Sequence, residues 1–388
     1  MSIHRVDRKG GTRYKVVWRD ERHAYRSRTF SLKRDAEAWE AQIKLAKRQG
    51  ELAALDAGKQ TLEAFASEWW KRHAEPNLSA KTQQLYRSLC ERLMYPRLGH
   101  LPLRALTPER ITDFRLALEK DGVGKETIRK TLAMLQGMLE RAVEWGRLSR
   151  NPARYVRKPP QGRTLIVKPM SPAEVETLRQ EMIRREWYRD AALVSVLAYA
   201  GLRPGEALAL RWSDIKRKTI LVSKAISLGE EKRTKTAKRR TVQLLAPLAA
   251  DLAEWQLSSG RPAQDALVFP TRDGEPWTDH HYRNWRRRRY GVAADAVGLS
   301  KRPYDLRHSL ASLLLAEQRN PAEIAAQMGH TLQTLFTTYS HVIEDLRGRR
   351  PVNPEREIRT AKTKAVRKRV AQKLPAASGS AAIAATGS

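Results

Sequence analysis

Cysteine is nearly absent from this 388-residue chain. Cys90 stands alone, which excludes an internal disulfide framework and a cysteine-built zinc site. Nine histidines are present, but none shares HExxH spacing, so neither a metal nor a cofactor is expected. Long apolar runs are missing as well. The longest, AALVSVLAYAGL at 191–202, has the length of a buried helix and falls short of a membrane span. No basic amphipathic anchor or lipidation motif is seen. The opening MSIHRVDRKGG is charged and lacks an apolar signal core, so secretion is not expected and a cytoplasmic protein is.

Acid is also scarce. Against 74 Lys and Arg stand 42 Asp and Glu, a formal net charge of +32. Such an excess calls for a polyanionic partner, and with no membrane signal that partner is nucleic acid. The hydrophobic share, 41%, suffices for well-packed globular domains, and the length exceeds one ordinary core. A multidomain chain is expected.

Residues 1–60 read as a small β-sheet-plus-helix module. TRYKVVWRD and HAYRSRTFSL look like two strands, rich in aromatic and β-branched residues. The helix that follows carries Ala36, Trp39, Ile43 and Ala46 at helical spacing, with Gly50 suited to its end. Arg13, Lys15, Arg19, Arg22, Arg26 and Arg28 lie on or beside the strands. Charged edge strands resist aggregation, which is one use for such residues. Their number on short strands favours DNA contact.

Residues 61–155 read as all-helical. Thr61, Ser79 and Thr107-Pro108 are helix starts, and Ile128, Leu132, Leu135, Met138, Leu139 and Val143 form one buried stripe. Lys125, Arg129 and Lys130 fall on the opposite face, placed to lie along a DNA backbone. The Pro- and Arg-rich stretch around 156–169 reads as a linker that lets two domains close round a duplex. Residues 170–345 form the largest domain, mixed and mainly α with a small β-sheet. Ser171 and Asn320 each open a helix in a capping-box pattern, and KTILVS and RTVQLL are strands flanking the basic loop EEKRTKTAKRR. The tail, 346–388, is strongly basic and expected to be partly disordered.

Chemistry gathers in five residues. Arg203 precedes a proline and so leaves the helical region, which puts it at the N-terminus of the next helix, where anions bind. Glu206 is placed to fix its guanidinium. Lys232, Lys235 and Lys238 share one loop, and spacing does not choose among them. In YDLRHSLASLLL the leucines form the buried stripe and Arg307 lies on its flank. His330 follows a helix-ending Gly329, and Tyr339 sits at helical spacing with Leu332, Leu335 and Phe336. Singly, each has a plain structural reading: an Arg–Glu pair, a solvated lysine, a core tyrosine. Together they suit a phosphodiester held by cations and attacked by a tyrosine oxygen.

The set resembles the tyrosine recombinase (phage integrase) family. AGLRPGEALALRW looks like its first arginine box, DLRHSLASLLL like its second, and MGHTLQTLFTTYSHV like its histidine–tyrosine box. The resemblance covers about 61–345, and the N-terminal module resembles the family's arm-site DNA-binding domain, a three-stranded sheet with one helix. It implies a helical core-binding domain and an α/β catalytic domain that encircle DNA. It also implies roles. Arg203 and Arg307 hold the scissile phosphate, Lys235 protonates the leaving 5′ oxygen, His330 bonds a non-bridging oxygen or helps move protons, and Tyr339 becomes a 3′-phosphotyrosine. Glu206, Tyr304 and His308 are candidate supporting residues. Tyr304 departs from the family pattern, which has histidine or lysine there. A phenol, with a reference pKa of about 10, is a poor base at neutral pH, which leaves His330, water or the phosphate itself as candidate bases for Tyr339.

The implied function is integration or excision of a phage or mobile element at arm and core attachment sites. The implied assembly is a homotetramer on double-stranded DNA, with a directionality factor and a host DNA-bending protein as candidate partners. A type IB topoisomerase and a non-catalytic DNA-binding regulator are the rivals. Joining to a second duplex excludes the first, and a trapped covalent complex excludes the second.

Overall fold

The computed structural model describes residues 2–8, 11–19, 25–48, 58–162, 169–227, 229–233 and 239–373. The chain divides into two compact units, Met1–Thr164 and Leu165–Ser388.

The first unit holds two separate cores. In the smaller one, β1 (Ser2–Arg8), β2 (Gly11–Arg19) and β3 (Tyr25–Phe30) form an antiparallel sheet in that order, packed on α1 (Lys33–Arg48). Reading residues alone finds only the last two strands. The first, SIHRVDR, is polar enough to pass for a charged leader, and pairing with β2 from Ser2↔Val17 to Arg8↔Gly11 makes it a strand. Val16, Trp18, Ala36, Ile43 and Ala46 are the buried core.

The larger core is all-helical: α2 (Leu62–Trp69), α3 (Glu75–Asn77), α4 (Ala80–Leu89), α5 (Pro108–Lys120) and α6 (Lys125–Glu144). Thr61, Ser79 and Thr107 cap α2, α4 and α5 by accepting a backbone N–H, as their sequence positions suggest. Ile128, Leu132, Leu135, Met138 and Leu139 of the α6 stripe are buried as expected, while Val143 is only partly buried and Ala142 takes the inner position. The linker begins later than the sequence implies, because Val156 and Pro159 are buried and the Pro159 carbonyl accepts from Arg129 Nη1 at 2.7 Å. Asn151 fastens the same segment by donating to Gln136 O and Glu140 Oε2.

The second unit runs through α7 (Pro172–Arg184), α8 (Tyr188–Ser195), α9 (Pro204–Leu208), β4 (Thr219–Val222), β5 (Lys224–Ser227), β6 (Glu230–Arg233), β7 (Arg240–Gln243), α10 (Ala246–Ser258), α11 (Asp279–Trp285), α12 (Val292–Ala296), α13 (Pro303–Ala316), α14 (Pro321–Met328), α15 (Leu332–Asp345) and α16 (Pro354–Lys373). β4 pairs β7, in line with the two flanking strands expected from sequence. Part of the supposed basic loop is instead β6, which pairs β5 in a hairpin tied by Lys224 to Glu231 at 2.5 Å. Ser171 and Glu174 form a reciprocal capping box. Asn320 does not, since its side chain accepts only from Ala322 N.

Part of the tail is built into the fold. Residues 354–373 form α16, which packs along α7 and buries Ile358 and Ala361. Lys362 Nζ donates to Pro247 O at 3.1 Å and to the buried Asp251, which also pairs Arg179 at 2.7 Å. Composition makes this segment look solvated, but one apolar side and one lysine that finds a buried carboxylate are enough to dock it. Residues 374–388 lie outside the described residues. Among the described residues no helix is long and apolar enough to cross a membrane.

Candidate active site

The site forms where α9, β7, α13 and the turn after α14 converge, and a glycine at each of two corners shapes it. Gly201 ends the helical run from α8 in a left-handed conformation, φ 61°. A Cβ there would lie 2.9 Å from Leu310 Cδ2. Gly329 ends α14 the same way, φ 59°. Both turns leave carbonyls without helical partners, and arginines take them.

Three consecutive carbonyls at the C-terminus of α14 each accept from a different guanidinium. Arg240 Nε donates to Gln327 O at 2.9 Å, Arg307 Nη2 to Met328 O, and Arg203 Nη2 to Gly329 O at 2.9 Å. Cations are favoured at this end of a helix dipole. Arg307 Nη1 reaches Gly201 O across the cluster.

Glu206 is the counter-charge. Its Oε1 accepts from Arg203 Nη1 and Arg240 Nη1, both at 2.9 Å. Its Oε2 accepts from the Arg203 backbone N–H at 2.8 Å and from Arg240 Nη2 at 2.7 Å, and lies 3.9 Å from Arg307 Nη1. The carboxylate is 3% exposed. Burial works to raise its pKa, but the hydrogen bonds and charge of Arg240, with Arg203 behind, bring it down to about 2. Three guanidiniums thus face one carboxylate, and the cluster keeps a positive excess.

The two motif arginines differ in position. The Arg203 side chain is 38% exposed, within reach of a ligand, whereas that of Arg307 is 0% exposed and forms the floor. The flank position expected for Arg307 is therefore a buried one. Its Nε has no partner among the described residues. His330 Nε2 lies 3.1 Å from Arg307 Nη2. A guanidinium only donates, so this nitrogen accepts and the ring carries its proton on Nδ1. Nδ1 is buried and unpartnered among the described residues. Burial, followed by the charges of Arg307 and Arg203, pushes His330 down to about 3, so the ring is neutral.

Tyr339 is fully buried within α15, at a residue where the helix breaks, φ −117° and ψ 15°. Its hydroxyl lies 2.7 Å from His308 Nδ1. Burial raises the phenol above its usual range while Arg307 opposes it. Burial lowers His308 to about 4. Tyr304 is exposed and meets the His308 ring edge-on, centroids 5.6 Å apart.

The fold therefore brings Arg203, Glu206, Arg307 and His330 together, and His308 with Tyr304 and Tyr339 beside them. Lys235 and Lys238 lie outside the described residues, and Lys232 pairs Glu230 at 2.9 Å. Arg240 is the site residue that the sequence reading omits. Its signal was the β7 alternation, since Arg240 shares a strand face with the buried Val242 and Leu244.

The candidate DNA contacts sort by register. Arg13, Lys15 and Arg19 alternate with Tyr14, Val16 and Trp18 and so occupy the sheet face away from α1. Arg26 and Arg28 pair Trp18 and Val16 and share the helix face, where the Arg28 guanidinium sits 4.5 Å from the Trp39 ring centroid. Arg22 lies outside the described residues. On α6, Arg129 is engaged by Pro159 O, Lys130 lies 3.6 Å from Glu126, and Lys125 is exposed.

Comparison with known proteins agrees with this geometry. Residues 168–345 match the Phage integrase family and residues 62–159 the Phage integrase central domain. The chain belongs to the phage integrase family, the tyrosine recombinases. Its activity class is site-specific DNA strand breakage and rejoining. It is 25% identical to the integrase of Mycobacterium phage D29 over 82% of this chain and 87% of that one. It is 29% identical to tyrosine recombinase XerC of Methylobacterium sp. (strain 4-46) over 70% and 85%. The fold matches a lambda integrase dimer bound to a COC′ core site, with TM-score 0.60 and 19% identity over 90% of this chain and 96% of that one. It also matches the Tn1549 transposon integrase in complex with a circular intermediate DNA, with TM-score 0.59 and 17% identity over 71% and 93%.

Proposed function

We propose that this integrase moves a phage or other mobile element into and out of bacterial DNA at attachment sites, as a homotetramer bridging two duplexes. The supporting observation is the cationic cluster with donors to spare: Arg203 half open, and Arg307 Nε and His330 Nδ1 without partners among the described residues. Such preorganised donors stabilise charge developing on a phosphoryl group.

In this reading Arg203 and the His330 Nδ1–H bind the non-bridging oxygens, and Arg307 sets the positive floor beneath them. The Tyr339 oxygen attacks phosphorus and the bond to the 5′ oxygen breaks. Lys235 gives that oxygen a proton, and the 3′-phosphotyrosine conserves the bond energy for rejoining. Glu206 and Arg240 orient the arginines without touching DNA. The N-terminal sheet takes arm sites and the rest of the chain core sites. A directionality factor and a host bending protein complete the assembly.

The test is a core-site duplex nicked near the cleavage position, followed on a denaturing gel. The wild type should form a covalent complex and Tyr339→Phe should not, while both bind DNA alike. A shifted band that survives in Tyr339→Phe moves the nucleophile elsewhere.

A further inference from the structure

We propose that His308 is the base that takes the phenolic proton of Tyr339 during cleavage, with Tyr304 as the positioning residue that packs against its ring. This rests on Tyr339 being the nucleophile, as proposed above.

Three observations carry it. First, the Tyr339 hydroxyl lies 2.7 Å from His308 Nδ1, and both side chains are buried. A general base must stand within hydrogen-bond reach of the proton it removes, and His308 does. Second, the other local histidine is committed elsewhere. His330 accepts from Arg307 through Nε2, so its Nδ1 is a donor and suits a phosphate oxygen better than a phenol proton. Third, the exposed Tyr304 approaches His308 ring to ring at an interplanar angle of 66°, and His308 in turn meets Tyr339 at 5.6 Å. Tyr304 precedes His308 by one helical turn, so both fall on one face of α13. A phenol cannot serve as base at neutral pH, but in this row it can hold the imidazole that does.

Consecutive positions on a helix point about 100° apart, so Arg307 and His308 serve different partners from adjacent residues. Arg307 lies under the phosphate site and His308 faces the nucleophile. The groups around His308 are Arg302, Tyr304, Asp305 and Arg307 of its own helix and cap, Tyr339 from α15, and His330 from the turn before α15. Burial keeps the ring neutral, which is its proton-accepting form.

The step balances. The Tyr339 proton passes to His308 Nδ1 as the tyrosyl oxygen–phosphorus bond forms. The phosphorus–5′-oxygen bond breaks, and the 5′ oxygen takes its proton from Lys235. Rejoining runs the transfers backwards and returns the phenol. The incoming phosphate's negative charge favours the imidazolium formed midway.

The experiment is single-turnover cleavage of the nicked duplex by the full chain, with a second duplex carrying sulfur at the bridging 5′ position. A thiolate leaves without a proton, so the sulfur relieves a missing acid and leaves a missing base exposed. His308→Ala should cleave the oxygen substrate about 10²–10³-fold more slowly than the wild type. His308→Asn, which keeps a polar atom near the phenol but cannot act as base, should be similarly slow. Both should stay slow on the sulfur substrate, whereas Lys235→Ala should recover there. Tyr304→Phe, which keeps the ring, should cleave normally, and Tyr304→Ala should be slowed. The proposal is overturned if His308→Asn cleaves within threefold of the wild type, or if sulfur rescues it. Absence of any covalent complex with wild-type protein would instead remove the recombinase reading and this proposal with it.

Discussion

Arg240 meets the Glu206 carboxylate end to end, Nη1 on Oε1 at 2.9 Å and Nη2 on Oε2 at 2.7 Å. The same carboxylate holds the backbone and side chain of Arg203. Arg240 is thus bound to the catalytic cluster through a shared partner, and its loss leaves a buried carboxylate short of charge. Removing one partner of a buried ion pair costs about 3–5 kcal/mol. Arg240→Ala should therefore lower the unfolding midpoint and slow cleavage, although Arg240 is assigned no contact with DNA. Arg240→Lys should restore part of the stability, since a point charge cannot reproduce the two-pronged contact. Denaturant unfolding beside single-turnover cleavage measures both. An Arg240→Ala protein as stable and as fast as wild type would refute the coupling.

Arg203 and Arg307 should separate by the same pair of measurements. Arg203 is partly exposed, so Arg203→Ala should cut cleavage by about 10²–10³-fold while costing less stability than Arg307→Ala, since only its bonds to Glu206 and Gly329 O are lost. Arg307 is fully buried and donates to Gly201 O and Met328 O. Arg307→Ala leaves those carbonyls unpaired and should lose stability along with activity. Equal stability losses in the two variants would contradict the exposed-and-floor division.

Acid should weaken the protein in a defined order. His308 and His330 sit at about 4 and about 3 against an ordinary 6.5. Below pH 6.5 the unfolded chain takes up protons that the folded rings refuse, so stability is complete above that value and falls as pH drops. The loss reaches about 1.4 kcal/mol per pH unit for each ring. Glu206, held at about 2 against 4.5, adds a second loss as pH falls from 4.5 towards 2. Unfolding midpoints at pH 7 and pH 5 test the first window, and His330→Asn should remove the His330 share of the drop and leave that of His308. A wild-type midpoint that does not change between the two would refute the buried neutral histidines.

Much of this site is legible in the sequence because motif residues sit at helix ends, where sequence punctuation is strongest. Gly201, Pro204, Gly329 and the caps at Ser171 and Thr107 all behave as their chemistry dictates. What stays hidden depends on tertiary structure. Arg240 looks like one more cation in a basic run until β7 pairs β4 and turns it inward. The Arg307 flank is covered by segments remote in sequence, around Gly201 and Met328. His308 gains meaning only when α15 sets Tyr339 against it. β1 and α16 are concealed by charge-rich composition, because sheet pairing and a narrow apolar side need few apolar residues.

The register of the N-terminal sheet gives a last expectation. Arg13, Lys15 and Arg19 share the face away from α1, while Arg28 stacks on Trp39 beneath it. If the open face binds arm-site DNA, replacing those three by alanine should weaken binding and reduce the salt dependence. The slope of log K against log salt should fall by about 0.9 for each phosphate that is no longer neutralised. Arg28→Ala should act differently, lowering the module's stability by removing a cation–π interaction worth about 0.5–2 kcal/mol. Its salt slope should remain close to wild type wherever the module stays folded. Deleting residues 1–60 should spare cleavage of a nicked core site but impair recombination between full attachment sites. Binding of arm and core duplexes at several salt concentrations, with the triple variant and Arg28→Ala side by side, decides the matter. An unchanged slope in the triple variant would rule out the open face and leave the module as a protein-binding element.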